Sequence, residues 1–173
     1  MNLSWSHKLF FKINKQVGKR KWLDHIMFFC ANYLIFILAL MVIAWADCIL
    51  KPIGFGLFIL VTSVVMALGV GSSWLTGLLF SKQRPIVEFP KTKLLFKSWK
   101  TWKAFPSDHT IIAFIIVLMP WLFGINMVFG AALIILAFLV GCARVYAGVH
   151  YPRDIVGGIV YATFFVLISS IFI

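Results

Sequence analysis

Two stretches decide how this chain is read: Phe105-Pro106-Ser107-Asp108-His109, and Ala143-Arg144-Val145-Tyr146-Ala147-Gly148-Val149-His150-Tyr151-Pro152-Arg153-Asp154. Around them the sequence is mostly Ile, Leu, Val, Phe and Trp, so Ser, Asp, His and Arg stand at the edge of very apolar segments. Ionisable side chains at membrane depth are costly and mark a site. Their types point to phosphate chemistry at one face of a membrane bundle.

Composition puts that bundle in a bilayer. The 173 residues are 62% hydrophobic and 12% charged, with a mean hydropathy of +1.02, whereas a soluble domain carries roughly a quarter charged residues. A backbone that must satisfy itself in lipid becomes helices or a closed barrel, and long apolar runs without strict alternation select helices. The expected fold is an all-α membrane protein, a bundle of about five transmembrane helices plus an N-terminal interfacial amphipathic helix, in a single domain over residues 1–173. Sixteen Lys and Arg against five acids give a net charge of +11. In a soluble protein that excess would suggest nucleic acid; here anionic lipid headgroups are the expected partner, with no nucleic acid and no obligate protein partner. Cys30, Cys48 and Cys142 lie in apolar stretches and read as small hydrophobes rather than a disulfide framework.

Upstream of the two stretches, residues 1–23 form a basic arm. Lys8, Lys12, Lys15 and Lys19 recur beside Trp5, Leu9, Ile13 and Val17, as in a helix lying in the interface with its apolar side down. A solvated basic arm is the plainer alternative. One spanning helix is expected over about 24–47, and a second over about 53–80 after Lys51-Pro52. Gly69, Gly71, Ser72 and Ser73 give the second a small-residue surface for close contact. Residues 81–105 are the one substantial polar connection, with Lys82, Arg84, Lys91, Lys93, Lys97, Lys100 and Lys103 among Phe89, Phe96, Trp99 and Trp102, a mixture suited to a headgroup layer. Further helices are expected over about 107–123, capped by Ser107 or Asp108 and kinked by Pro120, over about 127–142 or slightly beyond, and from Pro152 to Ile173, where Gly157-Gly158 lets a neighbour approach.

Five crossings return the polar clusters to one face. Lys82-Gln83-Arg84-Pro85, Ser107 with His109, and Arg144 with His150 and Asp154 then meet. Two Arg supply planar forks for phosphate oxygens, and Ser107 adds a hydroxyl. Backbone N–H groups at Asp108 open the helix with its positive dipole end. Two His allow one nucleophile and one general acid, and Asp154, four residues after His150, can orient its ring. No metal-ligand spacing is evident, so the cationic side chains must carry the electrostatics, with no metal and no cofactor expected. Without the surrounding pattern, His109 and His150 would read as hydrogen-bonded bundle histidines and Asp108 as a cap. Arg153 reads as an interfacial residue, as do His7 and His25, for which spacing suggests no partner.

The three clusters resemble the signature of the type 2 phosphatidic-acid phosphatase and vanadium haloperoxidase superfamily: Lys-x6-Arg-Pro, Pro-Ser-Gly-His, and Ser-Arg-x5-His-x3-Asp. Arg84-Pro85 matches the end of the first, Pro106-Ser107 and His109 the second, and Arg144, His150 and Asp154 the third. The chain departs from that pattern in three places. The family lysine falls at Gly77, with Lys82 as its expected substitute; Asp108 stands for the motif glycine and Ala143 for the serine. The form is similar to bacterial undecaprenyl-pyrophosphate phosphatases of the bacitracin-resistance type and to small lipid A 1-phosphatases.

That resemblance implies a membrane lipid phosphatase working by double displacement. His150 would attack phosphorus and His109 would protonate the leaving oxygen, then activate water. Arg84, Arg144, Ser107 and Lys82 would hold the phosphoryl oxygens. The substrate would be a polyprenyl diphosphate, a lipid A 1-phosphate or a phosphatidylglycerol phosphate. Lipid-to-lipid phosphotransfer and non-catalytic binding of a lipid diphosphate are the competing functions. The resemblance also implies a bacterial cytoplasmic membrane with the site on its outer face. Charge counting opposes that orientation, because fifteen of the sixteen Lys and Arg fall on the site side and only Lys51 lies opposite.

Overall fold

The polar clusters are held by helices alone. The computed structural model describes residues 3–96 and 103–173, and among them eight helices run in order. These are α1 Trp5–Asn14, α2 Lys21–Asn32, α3 Leu34–Ile49, α4 Pro52–Leu79, α5 Pro85–Glu88, α6 Asp108–Leu122, α7 Met127–Tyr146 and α8 Pro152–Ser169. Lys97, Trp99, Lys100 and Trp102 of the basic connection lie outside the described residues. Local chemistry sets several starts. Pro52, Pro85 and Pro152 open their helices where no N–H is needed. The Asn126 side chain accepts from Val128 N at 3.0 Å to cap α7.

α4, α7 and α8 are each long and apolar enough to cross a membrane, and α2 with α3 adds a fourth candidate as a pair bent by 52°. α6 is apolar but only 15 residues long. The protein is therefore a multi-pass membrane protein. α6 is its axis and packs against α3, α4, α7 and α8, so Ile111, Ile115 and Met119 are buried with Leu38 and Leu133. In lipid the association of helices rests on close packing rather than on removing apolar surface from water. The small residues supply it: a Cβ on Gly69 would lie 2.9 Å from Ile115 Cδ1, and one on Gly157 2.3 Å from the Phe105 ring. Leu60, Leu68, Leu75 and Leu78 remain exposed on α4, as a lipid-facing surface should.

The structure corrects several expectations. The helix expected over 24–47 is broken at Tyr33, with no Gly or Pro to announce it. Instead Arg144 from α7 reaches in, its Nη1 donating to Ala31 O at 3.2 Å. A side chain entering the helical ladder is a recognised cause of such bends. The basic arm forms a helix over Trp5–Asn14, followed by turns before α2 begins at Lys21, and the buried face of α1 is Ser6, His7, Phe10 and Asn14. That face docks on α7 and α8, while Trp5 and Leu9 of the expected apolar stripe stay exposed. The polar connection is partly folded into the protein through α5. α7 continues to Tyr146, so Arg144 rides its last turn, and α8 ends at Ser169.

Candidate active site

A short irregular segment, 103–107, stitches the three polar clusters together. Arg84 Nε donates to Lys103 O at 3.0 Å, and Ala104 N donates to Lys82 O at 2.9 Å. His150 Nδ1 lies 3.0 Å from Ala104 O. Ser107 N donates to Asp154 O at 3.1 Å. Residues distant in the chain are thus fixed by hydrogen bonds to main-chain carbonyls, which no side-chain pattern predicts. Arg84, Ser107, Arg144, His150 and Asp154 are all buried, and His109 is half-buried on the first turn of α6.

The environment of His150 defines its protonation. Burial holds the imidazole well below its ordinary value of 6.5, and Arg84, Arg144 and His109 push the same way against the Ala104 carbonyl. A carbonyl only accepts, so Nδ1 carries the hydrogen and Nε2 keeps a free lone pair. Asp154 Oδ2 lies 3.5 Å from Nδ1 and accepts more closely from Tyr151 N, at 2.8 Å. The ring is therefore oriented by Ala104 first, while Asp154 braces the turn that carries it.

The cations around this ring differ in how they are satisfied. Burial lowers the Arg84 guanidinium from its ordinary value, and the carboxylates of Asp108 and Asp154 oppose that shift. Arg144 sits with its guanidinium 5.3 Å from the Phe96 ring centroid. Arg144 Nε and Ser107 Oγ are buried with no hydrogen-bond partner among the described residues. Unsatisfied buried polar groups are uncommon and demand an explanation; phosphoryl oxygens would supply acceptors to both. Ser107 holds the N-cap position of α6 without a side-chain capping bond, so its hydroxyl is not used as the cap that the sequence suggested. Asp108 does not cap either: its carboxylate accepts from Ser73 Oγ at 2.7 Å and pairs with Lys103 Nζ. Lys82 has an exposed side chain and contributes its carbonyl, whereas Lys103 is only 3% exposed.

Sequence reasoning missed the N-terminal bracket around the site. His7 is buried, with Nε2 3.4 Å from Glu88 Oε1 and its ring edge-on to Phe89 and Tyr151. Tyr151 OH donates to Glu88 Oε2 at 2.9 Å. Burial, followed by the Glu88 carboxylate, pushes that phenol above its usual range, so it stays protonated as the donor. Asn14 grips Lys93 at both backbone atoms, accepting from N at 3.0 Å and donating to O at 2.7 Å. The only hint in the sequence was an Asn and a His among the lysines of an amphipathic arm.

The arrangement is matched among known proteins. The chain is 31% identical over 150 residues to the bacitracin transport permease protein BcrC of Bacillus licheniformis, covering 86% of this chain and 71% of the relative. It is 31% identical over 141 residues to the undecaprenyl-diphosphatase BcrC of Bacillus subtilis (strain 168), covering 81% and 69%. The crystal structure of Aquifex aeolicus LpxE superposes with a TM-score of 0.70 at 27% identity, over 99% of this chain and 98% of the other. The PAP2 superfamily profile matches residues 56–173, the span that carries Arg84, Ser107, His109, Arg144, His150 and Asp154. On that match and on those relatives, the chain belongs to the PAP2 superfamily of membrane phosphatases.

Proposed function

We propose that this protein hydrolyses the terminal phosphate of a membrane lipid diphosphate, of the undecaprenyl diphosphate class, through a phosphohistidine. The observation that carries the reading is His150: buried, neutral, tethered at Nδ1 to Ala104 O, and flanked by Arg84 and Arg144. Its Nε2 lone pair forms a bond to phosphorus as the lipid-side P–O bond breaks, and His109 delivers a proton to the departing oxygen. Water then attacks phosphorus, the N–P bond breaks, and His109 takes up the water proton as inorganic phosphate leaves. Arg84, Arg144, Ser107 Oγ and the Asp108 N–H hold the three oxygens over which charge spreads. Lys82, exposed at the rim, meets the outer part of the headgroup.

The relative from Bacillus subtilis named for undecaprenyl diphosphate supports this substrate over lipid A 1-phosphate or phosphatidylglycerol phosphate. In our reading the bent α2–α3 pair and α6 complete five crossings, and the site opens at the outer face of the bacterial cytoplasmic membrane. A second reading, binding or export of a lipid diphosphate without cleavage, draws on the relative named as a transport permease. Phosphate release by the purified protein from undecaprenyl diphosphate, with no second lipid present, separates hydrolysis from both export and lipid-to-lipid transfer. His150→Ala should insert normally and release no phosphate above background; turnover in that variant would refute the nucleophile assignment.

A further inference from the structure

Two departures from the family pattern, Gly77 and Asp108, touch the same third residue. A Cβ on Gly77 would lie 2.7 Å from Lys103 Cγ and 2.8 Å from its Cδ. The Lys103 stem therefore occupies the space in which a side chain at position 77 would begin. Its Nζ donates to Ser73 Oγ and pairs with Asp108 Oδ1, at the first residue of α6. Its own carbonyl holds Arg84 Nε at 3.0 Å. The Asp108 carboxylate also acts electrostatically on Arg84 and on Arg144.

We propose that Lys103 is a phosphate-binding residue, supplying from the far side of the pocket the ammonium that the family's first motif supplies from position 77. Gly77 leaves the channel for its stem, and Asp108 and Ser73 hold its head at the first residue of α6, next in the chain to Ser107. Lys103 adds one positive charge to those of Arg84 and Arg144 and offsets the Asp108 carboxylate, and a buried charge is screened little by solvent. An ammonium is a point charge with rotatable donors, so it can turn from the carboxylate toward an incoming phosphoryl oxygen.

This inference rests on the phosphatase reading, and the test separates the two. Purified variants are assayed for phosphate release from a lipid diphosphate and for inhibition by orthovanadate, an anion that takes the trigonal-bipyramidal shape of the transferring phosphoryl. Lys103→Met should lower kcat/KM by about 10- to 100-fold and weaken vanadate inhibition to a similar degree. If Lys103 served only to neutralise Asp108, the double variant K103M/D108N would recover to wild type; the proposal expects it to stay impaired. Gly77→Lys combined with Lys103→Ala should recover at least about tenfold over Lys103→Ala, because the ammonium returns by the other route. Should Lys103→Met fail to insert, the G77K/K103A protein carries the test by itself, since it keeps one ammonium in the pocket. Full activity in Lys103→Met, recovery in K103M/D108N, or no recovery in G77K/K103A would overturn the assignment. A wild-type protein no more active than His150→Ala would instead overturn the phosphatase reading beneath it.

Discussion

Gly148→Ala is the substitution whose effect can be worked out most fully. Gly148 has φ +82 and precedes Val149-His150, so it makes the bend that leads from the end of α7 to His150. The left-handed conformation disfavours an L side chain by about 1–2 kcal/mol. At this position the new Cβ would also lie 2.4 Å from Lys93 O, a main-chain atom. To reach ordinary contact the 92–94 segment must retreat by about 1 Å. That movement lengthens the 2.7 Å bond from Asn14 Nδ2 to Lys93 O beyond hydrogen-bonding range, a further loss of about 1 kcal/mol. Gly18 and Gly124 provide the controls, with φ +82 and +79 and nothing within 4 Å of a Cβ. At about 2–4 °C per kcal/mol for a chain of this size, alanine at either control should lower the detergent Tm by only a few degrees. Gly148→Ala should lower it by roughly twice as much, and should reduce turnover as His150 shifts. Equal Tm values for all three alanine variants would refute the claim that contact with Lys93, rather than φ alone, makes glycine necessary there.

Ser107→Ala should leave the Tm unchanged or slightly raised, because the buried hydroxyl has no partner among the described residues to lose. The same variant should lose about tenfold in kcat/KM, and a large fall in Tm would show that the hydroxyl is structural. Stability should also depend on pH through His150. The unfolded chain protonates this imidazole near 6.5 and the folded chain only well below it, so the unfolded state binds more protons in that window. Stability is therefore complete above 6.5 and falls as the pH drops through it. Detergent thermal melts of the wild type and of His150→Gln should converge at acid pH; parallel curves would contradict the buried neutral ring.

The residues of the candidate site were legible in the sequence because their chemistry is conspicuous against lipid-facing residues. Arg84, Ser107, His109, Arg144, His150 and Asp154 stand at fixed spacings at the ends of apolar runs, and helices returning to one face bring such ends together. What holds them was not legible. Ala104 orients His150 through a carbonyl that every residue possesses, so no side-chain signal marks it. Lys103 is one of seven basic residues in the polar connection, and only the gap over Gly77 distinguishes it. The bend at Tyr33 follows Asn32, the one strongly polar residue between His25 and Asp47, but its partner Arg144 lies far along the chain. His7 and Glu88 likewise meet only after folding.

The brevity of α6 has a consequence for where catalysis happens. Its 15 residues extend about 22 Å, against a hydrocarbon slab of roughly 30 Å. In our reading α6 is one of five crossings with its C-terminal end near the far boundary, so it would begin several ångströms beneath the near one. The floor beside Ser107 and His109 would then be a recess sunk into the oily layer. A tethered phosphate reaches it by dipping only slightly below its neighbours, carried by a tail already dissolved there. A free sugar or nucleotide phosphate has no such tail and must surrender its hydration to descend, so the depth of the recess itself favours lipids over soluble esters.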